Sequence, residues 1–235
     1  MTEFTQWRSL VDGERVSAIP DSVEDQAHAW YDAQEAFDSS QDGNQVTTWQ
    51  DKEENFDATG TGATVREDGI NGNIALEFDA VDDTFSISSS DWQTISPPNT
   101  IFIVCEFNGS IENPYHIIDQ ADDGDRNWVR WNPFASPESW EITAGDPVTG
   151  SDDTSTQLIT AQYDSDGSIR ENGSETGSGD TGSGDMKDLQ IGSQRDEDRY
   201  WDGMIGEIVI CDGSIPSEDI ESMESYLSSK WDIPI

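Results

Sequence analysis

The sequence predicts an all-β protein, an antiparallel two-sheet β-sandwich with one α-helix packed on it at the C-terminus. Two patterns carry this expectation. Short apolar runs of period two recur along most of the chain, as where Met204, Gly206, Ile208 and Ile210 alternate with Ile205, Glu207, Val209 and Cys211, and that period is the signature of a strand packed on at least one face. Over residues 217–231 the period changes. Ile220, Met223, Leu227 and Trp231 recur at intervals of three and four, one apolar stripe along a helix of about four turns. A lone helix of that length cannot bury its own stripe, so it must dock on the strands that precede it.

Residues 1–27 read as an N-terminal arm, and 28–235 as one domain. Phe4, Trp7, Leu10 and Val11 suit a short amphipathic segment ended by Ile19-Pro20, which either packs on its own domain or anchors the chain to a neighbouring subunit or assembly. Residues 29–33 and 46–49 read as strands around a polar loop at 38–44. Residues 51–72 are glycine-rich and poor in apolar side chains, and read as a long loop. Ile74, Leu76 and Phe78 then alternate with Ala75 and Glu77, and a strand at 84–87 follows the acidic corner at 79–83. Residues 101–105 (IFIVC) are continuously apolar, as a central strand covered on both faces is. Strands at 115–119, 128–131 and 140–142 come next, the last two paired across the loop 132–139.

Residues 158–163 and 168–171 make a hairpin over Asp164-Ser165-Asp166-Gly167, where Asp-Gly suits a turn with positive φ. TGSGD occurs twice in succession over 176–185; with no side chain able to pack, it reads as a flexible surface loop. A strand resumes at 189–191 and another occupies 204–211. Pro216 ends that strand, Ser217 can cap the helix, and Glu218 and Asp219 place negative charge at the positive end of its dipole.

The order of these motifs resembles a known family. Ala29-Trp30-Tyr31-Asp32-Ala33, then Val46-Thr47-Thr48-Trp49 with Asp51-Lys52, then Asn73 to Asp79 with Asp82-Asp83, are followed by Arg170-Glu171-Asn172-Gly173-Ser174 and Leu189-Gln190-Ile191-Gly192. The chain closes on an acidic-capped helix ending in Tyr226, Leu227, Lys230 and Trp231. Over residues 28–232 this is similar to concanavalin A-like (laminin G-like) jelly-roll domains. The resemblance implies a jelly roll. The family holds lectins, glycan-cleaving enzymes, adhesion modules and structural virion domains, so the fold by itself leaves function open.

Composition narrows the setting. Fifty acidic residues face eleven basic ones, a formal net charge of −39, and only Lys52, Lys187 and Lys230 are lysines. Nine Trp, eight Phe and five Tyr separate this chain from acidic disordered sequences, which are poor in aromatics. A folded body with a carboxylate-covered surface suits molar salt, where a Debye length of about 3 Å screens self-repulsion. The expected source is an extreme halophile or a virus of one. No cluster of Lys and Arg exists to displace counterions from phosphate, which excludes a nucleic acid partner. The N-terminal residues show no basic start followed by an apolar run, and no stretch is apolar enough to span a membrane. Neither a signal peptide nor a membrane partner is expected.

Candidate chemistry is sparse. Glycan-hydrolysing members of the resembled superfamily carry acid, base and helper carboxylates on alternate positions of one strand. Hydrolysis needs two carboxyls across the sugar bond, but Glu207 and Glu141 each lack a second carboxylate two residues on. His28 and His116 lie in no recognisable nucleophile context. The sequence reading therefore sets an enzyme aside. Sugar sites combine an aromatic face with short polar side chains, and the segment 115–140 offers both; the candidate glycan ligands are Tyr115, Asp123, Arg126, Asn127, Trp131 and Trp140, with Trp128 and Arg130 beside them. Trp128 and Trp131 are an odd number of positions apart, so at least one of the two belongs to the core. Asp79, Asp82 and Asp83 are a candidate calcium site, calcium being the one cofactor considered, and read equally as turn residues capping backbone N–H groups. Cys105 and Cys211 read as two small buried side chains, with a disulfide as the alternative.

Taken together these readings predict a non-enzymatic structural and adhesive surface protein of a haloarchaeal virus particle, on capsid, turret or tail fibre. It would be a homo-oligomer joined to other virion proteins through residues 1–27. The alternative is a lectin-like module that binds a host surface glycan, and a glycan-cleaving enzyme ranks third.

Overall fold

The computed structural model describes residues 19–108, 115–120, 127–155, 157–195 and 199–235. Among them are fifteen strands: β1 (Ala27–Asp32), β2 (Gln45–Trp49), β3 (Ala58–Arg66), β4 (Ala75–Asp79), β5 (Phe85–Ile87), β6 (Asn99–Phe107), β7 (Tyr115–Asp119), β8 (Asn127–Asn132), β9 (Ser139–Ala144), β10 (Pro147–Thr149), β11 (Gln157–Tyr163), β12 (Gly167–Glu171), β13 (Ser174–Gly179), β14 (Leu189–Ile191) and β15 (Asp202–Cys211). The helices are α1 (Asp21–Gln26), α2 (Ala33–Ala36) and α3 (Ser217–Trp231).

Every strand pair is antiparallel, and the hydrogen bonds follow one path, β10-β9-β8-β7-β14-β5-β3-β4-β15-β6-β11-β12-β13, with β1 added on β15 and β2 on β3. The two ends of the path meet. A Cβ at Gly177 in β13 would collide with the Thr149 carbonyl in β10, so only glycine lets these strands approach. The result is one nearly closed, barrel-like antiparallel sheet. The expected division into two facing sheets is not what the pairing defines, and the reason is physical: strands that curve continuously round a core alternate in the same way as strands of two stacked sheets.

Alternation on the central strands places two apolar clusters. Ile101, Ile103 and Cys105 of β6 join Ile208 and Ile210 of β15 inside the barrel, whereas Phe102, Val104, Val209 and Cys211 face outward beneath α3. The simple alternation read from β15 breaks at a bulge between Ile205 and Glu207. Ile205 and Ile208 consequently both point inward, and Gly206 gains a separate role. A Cβ there would lie 2.5 Å from the Trp231 indole, so the bulged glycine is the socket for the last buried residue of α3.

The helix lies where its stripe predicts: Ile220, Met223, Leu227 and Trp231 are all buried. Ser217 does not cap it by its side chain; the Pro216 carbonyl accepts the Asp219 and Ile220 amides, each at 2.9 Å. Residues 19–26 of the expected arm pack beside this helix, with Val23 in the outer cluster and the Ser22 hydroxyl donating to Asp219 at 2.7 Å. Phe4, Trp7, Leu10 and Val11 lie outside the described residues.

Two segments read as loops are strands. Residues 58–66 form β3, whose Gly60 and Gly62 press against the Thr84 and Val46 carbonyls. The first TGSGD repeat lies largely in β13, and the second is pinned: Thr181 is buried, and its carbonyl accepts the Ala144 amide at 2.6 Å and the Asp146 amide at 3.0 Å. The β12–β13 turn has Asn172 at φ 47° and Gly173 at φ 77°, the pair of left-handed residues a two-residue hairpin requires. The β11–β12 turn differs from expectation, since Gly167 is not left-handed. It is glycine because a Cβ would meet the Gln162 carbonyl at 2.5 Å.

Candidate functional site

The segment 115–140 divides by parity. On β8, Asn127, Val129 and Trp131 face the core, opposite Ala144, Ile142 and Trp140 of β9. Trp131 and Trp140 meet edge to face at 5.6 Å, and Trp140 continues to Trp201 at 5.9 Å. Phe107 lies 5.8 Å from Trp131 and 5.1 Å from Tyr115. Four of the residues proposed from sequence as glycan ligands, Tyr115, Asn127, Trp131 and Trp140, are thus buried and belong to the aromatic interior. Asp123 and Arg126 lie outside the described residues. The alternation rule flagged this outcome for one of the two tryptophans without saying which.

The opposite face of the same strands carries Trp128, Arg130 and Asn132, all half-buried, beside Glu141 of β9. Glu141 Oε1 accepts Trp128 Nε1 at 3.2 Å, Arg130 Nε at 3.0 Å and Arg130 Nη2 at 2.6 Å; Oε2 accepts the Asn132 amide at 2.8 Å. The Arg130 guanidinium stacks on the Trp128 ring at 4.6 Å, and His116, its cross-strand neighbour on β7, meets the indole edge at 5.9 Å. This row holds an indole, a guanidinium, an amide and a carboxylate in fixed positions on strands. Phe134, in the β8–β9 loop, is 71% exposed. While α3 covers the outer face of β6, β11 and β15, none of its buried residues reaches this part of the sheet.

A cavity of about 500 Å³ opens where these strands end, lined by Pro97, Ala144, Asp146, Asp164, Asp180 and Ser183 among others. Its walls are stitched together: the Gly184 amide donates to the Ala144 carbonyl at 2.7 Å, the Thr181 amide and hydroxyl each donate to the Asp164 carbonyl at 3.1 Å, and the Asp164 amide donates to the Thr181 hydroxyl at 3.0 Å.

Asp79, Asp82 and Asp83 do converge, each offering a carboxylate oxygen within 4.8 Å of the others. The same groups do turn work. Asp79 accepts the Val81 amide at 2.8 Å, Asp83 accepts the Asp79 amide at 3.0 Å, and Ala80 between them sits at φ 62°. Burial, with the neighbouring Asp79 charge, pushes the Asp83 carboxyl up to about 6.

A buried group of three charges lies elsewhere, at the foot of α3. Asp32 and Glu207 are cross-strand neighbours with fully buried side chains, and Lys230 bridges them, 2.7 Å from Glu207 and in contact with Asp32. Glu207 also accepts Trp30 Nε1 at 2.7 Å and Trp231 Nε1 at 2.6 Å. Burial and the Asp32 charge raise the Glu207 carboxyl above its usual range. Sequence reading passed over this trio because it judged Glu207 only by its neighbours along the strand. Cys105 and Cys211 are both free and buried, in different clusters, and burial pushes the Cys211 thiol up to about 12.

No protein-family model matches the sequence, and a comparison with curated proteins gave no match. Solved structures do match in fold. A Trypanosoma rangeli sialidase is similar at a TM-score of 0.64 and 15% identity over 95% of this chain and 35% of the sialidase. The same sialidase in complex with sialic acid gives a TM-score of 0.60 at 13% identity, covering 95% of this chain and 36% of that one. Domain 4 of AbnA, a GH43 extracellular arabinanase from Geobacillus stearothermophilus solved in complex with arabinotriose, gives 0.58 at 13% identity over 85% of this chain and 98% of the domain. The chain therefore spans about a third of the sialidases and nearly the whole arabinanase domain. At such identities the likeness is one of fold, shared with glycan-processing and glycan-binding proteins, and the narrower concanavalin A-like assignment stays a resemblance. The sequence reading that set an enzyme aside is corrected here, since the neighbours are glycosidases. Among the described residues no helix is long and apolar enough to cross a membrane.

Proposed function

We propose that this chain is a carbohydrate-binding module of the kind associated with glycan-processing proteins, and that it binds sugar on the outward face of β8 and β9. The observation that carries the reading is the row of Trp128, Arg130, Asn132 and Glu141, which joins an apolar ring surface to oriented donors and an acceptor. An arabinanase domain of similar fold, solved with arabinotriose, supports it. A jelly-roll arrangement of the strands belongs to the same reading, whereas the virion setting expected from the family resemblance, the missing signal and the acidic composition together gains no support from the neighbours.

Calorimetric titration of short saccharides in molar salt tests the proposal. Trp128→Ala removes the ring surface and is expected to weaken binding at least about tenfold, equivalent to about 1.4 kcal/mol. Affinity unchanged by that substitution, or no affinity for any saccharide, would refute it. Measuring new reducing ends in the same mixtures reads whether the chain also cleaves what it binds. Calcium at Asp79, Asp82 and Asp83 is part of the proposal as a structural ion; the three carboxylates supply three of the six to eight oxygens that calcium takes.

A further inference from the structure

We infer that the cavity at the end of β8 and β9 is a second sugar subsite, and that it selects uncharged saccharides over sialic acid and other anionic sugars. The inference rests on the glycan-binding reading and adds a ligand class to it. The cavity adjoins the proposed face: Trp128 pairs with Thr143, the next residue, Ala144, lines the cavity, and the Tyr163 hydroxyl donates to the Trp128 carbonyl at 2.9 Å just before Asp164. Its volume of about 500 Å³ lies within the range of small-molecule sites.

Chemistry decides what such a cavity takes. Its charged lining is Asp146, Asp164 and Asp180, with no Lys or Arg among the described lining residues. These carboxylates do not form a metal cage. The cluster of three acidic groups that converges closely enough, among the described residues, is at Asp79, Asp82 and Asp83. Acceptors spread round a cavity of this size suit a ligand with several hydroxyl donors, and they repel a carboxylate. Two of them are held in place, Asp164 accepting the Ser165 amide at 2.6 Å and Asp180 the Gly182 amide at 2.9 Å.

Two buried amides sit next to lining residues of the cavity in sequence or register. Asn99 is 1% exposed and neither polar atom of its side chain has a hydrogen-bond partner; it follows Pro97 by two residues and pairs with Tyr163, beside Asp164. Asn127 is fully buried and faces Ala144. Its Nδ2 donates to the Gly184 carbonyl at 2.6 Å, and its Oδ1 has no partner. An apolar core would not hold two such amides at one end without cost. Each is the first residue of its strand, at the end of the sheet where the cavity opens.

The test titrates the full chain with arabinotriose and xylotriose as neutral probes and sialyllactose as the anionic one, at about 0.1 M and about 1 M salt. Arabinotriose or xylotriose is expected to bind at least tenfold more tightly than sialyllactose at the lower salt, with the gap narrowing at the higher. A carboxylate about 6 Å from a bound anion weakens it about threefold in water, so Asp146→Asn with Asp180→Asn should close the gap by about tenfold. Asn keeps the acceptor that holds the Gly182 amide. Ser183→Trp fills the cavity from an exposed position and should weaken neutral binding at least about tenfold without altering the melting temperature. Sialyllactose binding as well as the neutral probes would overturn the inference. So would neutral binding unchanged by Ser183→Trp but lost in Trp128→Ala, an outcome that leaves the glycan-binding reading intact. Failure of every saccharide to bind overturns both.

Discussion

Replacing Lys230 with Met tests how α3 is held. The change keeps most of the aliphatic stem and removes a cation that touches both Asp32 and Glu207. Two buried carboxylates then face each other across β1 and β15. Breaking a buried ion pair by removing one partner costs about 3–5 kcal/mol. Lys52, 3.8 Å from Asp32, still offsets one of the two charges, so a loss near about 3 kcal/mol is expected, a large share of the roughly 5–15 kcal/mol that stabilises a domain.

The deficit should depend on pH with a definite sign. The folded Glu207 carboxyl already lies above its ordinary value, through burial and then Asp32, and losing Lys230 moves it higher. A carboxylate whose folded value exceeds its unfolded one destabilises the fold at higher pH, and that effect declines as pH falls through the folded value and is gone below the unfolded one. Urea denaturation of Lys230→Met should therefore show its largest loss near about pH 8 and a smaller one near about pH 5. Glu207→Gln added to Lys230→Met should recover much of the stability at neutral pH. A loss below about 1 kcal/mol, or one that is flat across that range, would refute the argument. In the unsubstituted chain, burial alone would lower the Lys230 ammonium, but Glu207 and Asp32 overcome it and raise it above its ordinary 10.5. Its stabilising effect is then complete below that pH and is lost only in more alkaline solution.

Other expectations follow from the same geometry. Gly206→Ala forces a methyl group 2.5 Å from the Trp231 ring and should cost about 1–3 kcal/mol in denaturant melts, with α3 losing amide protection first. Asp83→Asn should raise the melting temperature at neutral pH in chelator, because Asp83, held at about 6, destabilises the fold once ionised; the gain should vanish in acid as pH falls below the ordinary carboxylate value. Calcium should raise the melting temperature of the original chain but not of Asp83→Asn, and an equal response in both removes calcium from these residues. Cys105 and Cys211 should resist thiol reagents in the native state and react only on unfolding, since both are buried and their thiols are pushed up by desolvation.

Much of the fold was legible because the signals were local. The 101–105 run, the 115–119 strand, the paired tryptophan strands and the α3 stripe all appear where the apolar spacing puts them. The strands that were missed lack apolar patterning. β3 is rich in Gly, Thr and Ala with Val65 as its one large apolar side chain, β13 holds only Ser, Glu, Thr and Gly, and their glycines permit close backbone approach to Thr84, Val46 and Thr149. One signal for β13 was available, the Asn172-Gly173 pair, which marks a tight hairpin whatever the polarity of the strand after it.

The candidate site shows the same limit. Alternation requires that Trp128 and Trp131 diverge, but choosing which faces solvent depends on the inner surface of β9 and on Phe107, Tyr115 and Trp201, contributed by distant parts of the chain. Composition and period determined an all-β chain, an acidic surface and a C-terminal helix with one buried stripe. Only the tertiary structure decided that the strands follow a single, nearly closed path, that the bulge at Gly206 re-aims β15, and that Lys230 joins Asp32 to Glu207. Periodicity is a property of neighbours along the chain, while closure, register and burial depend on residues brought together from far apart in it.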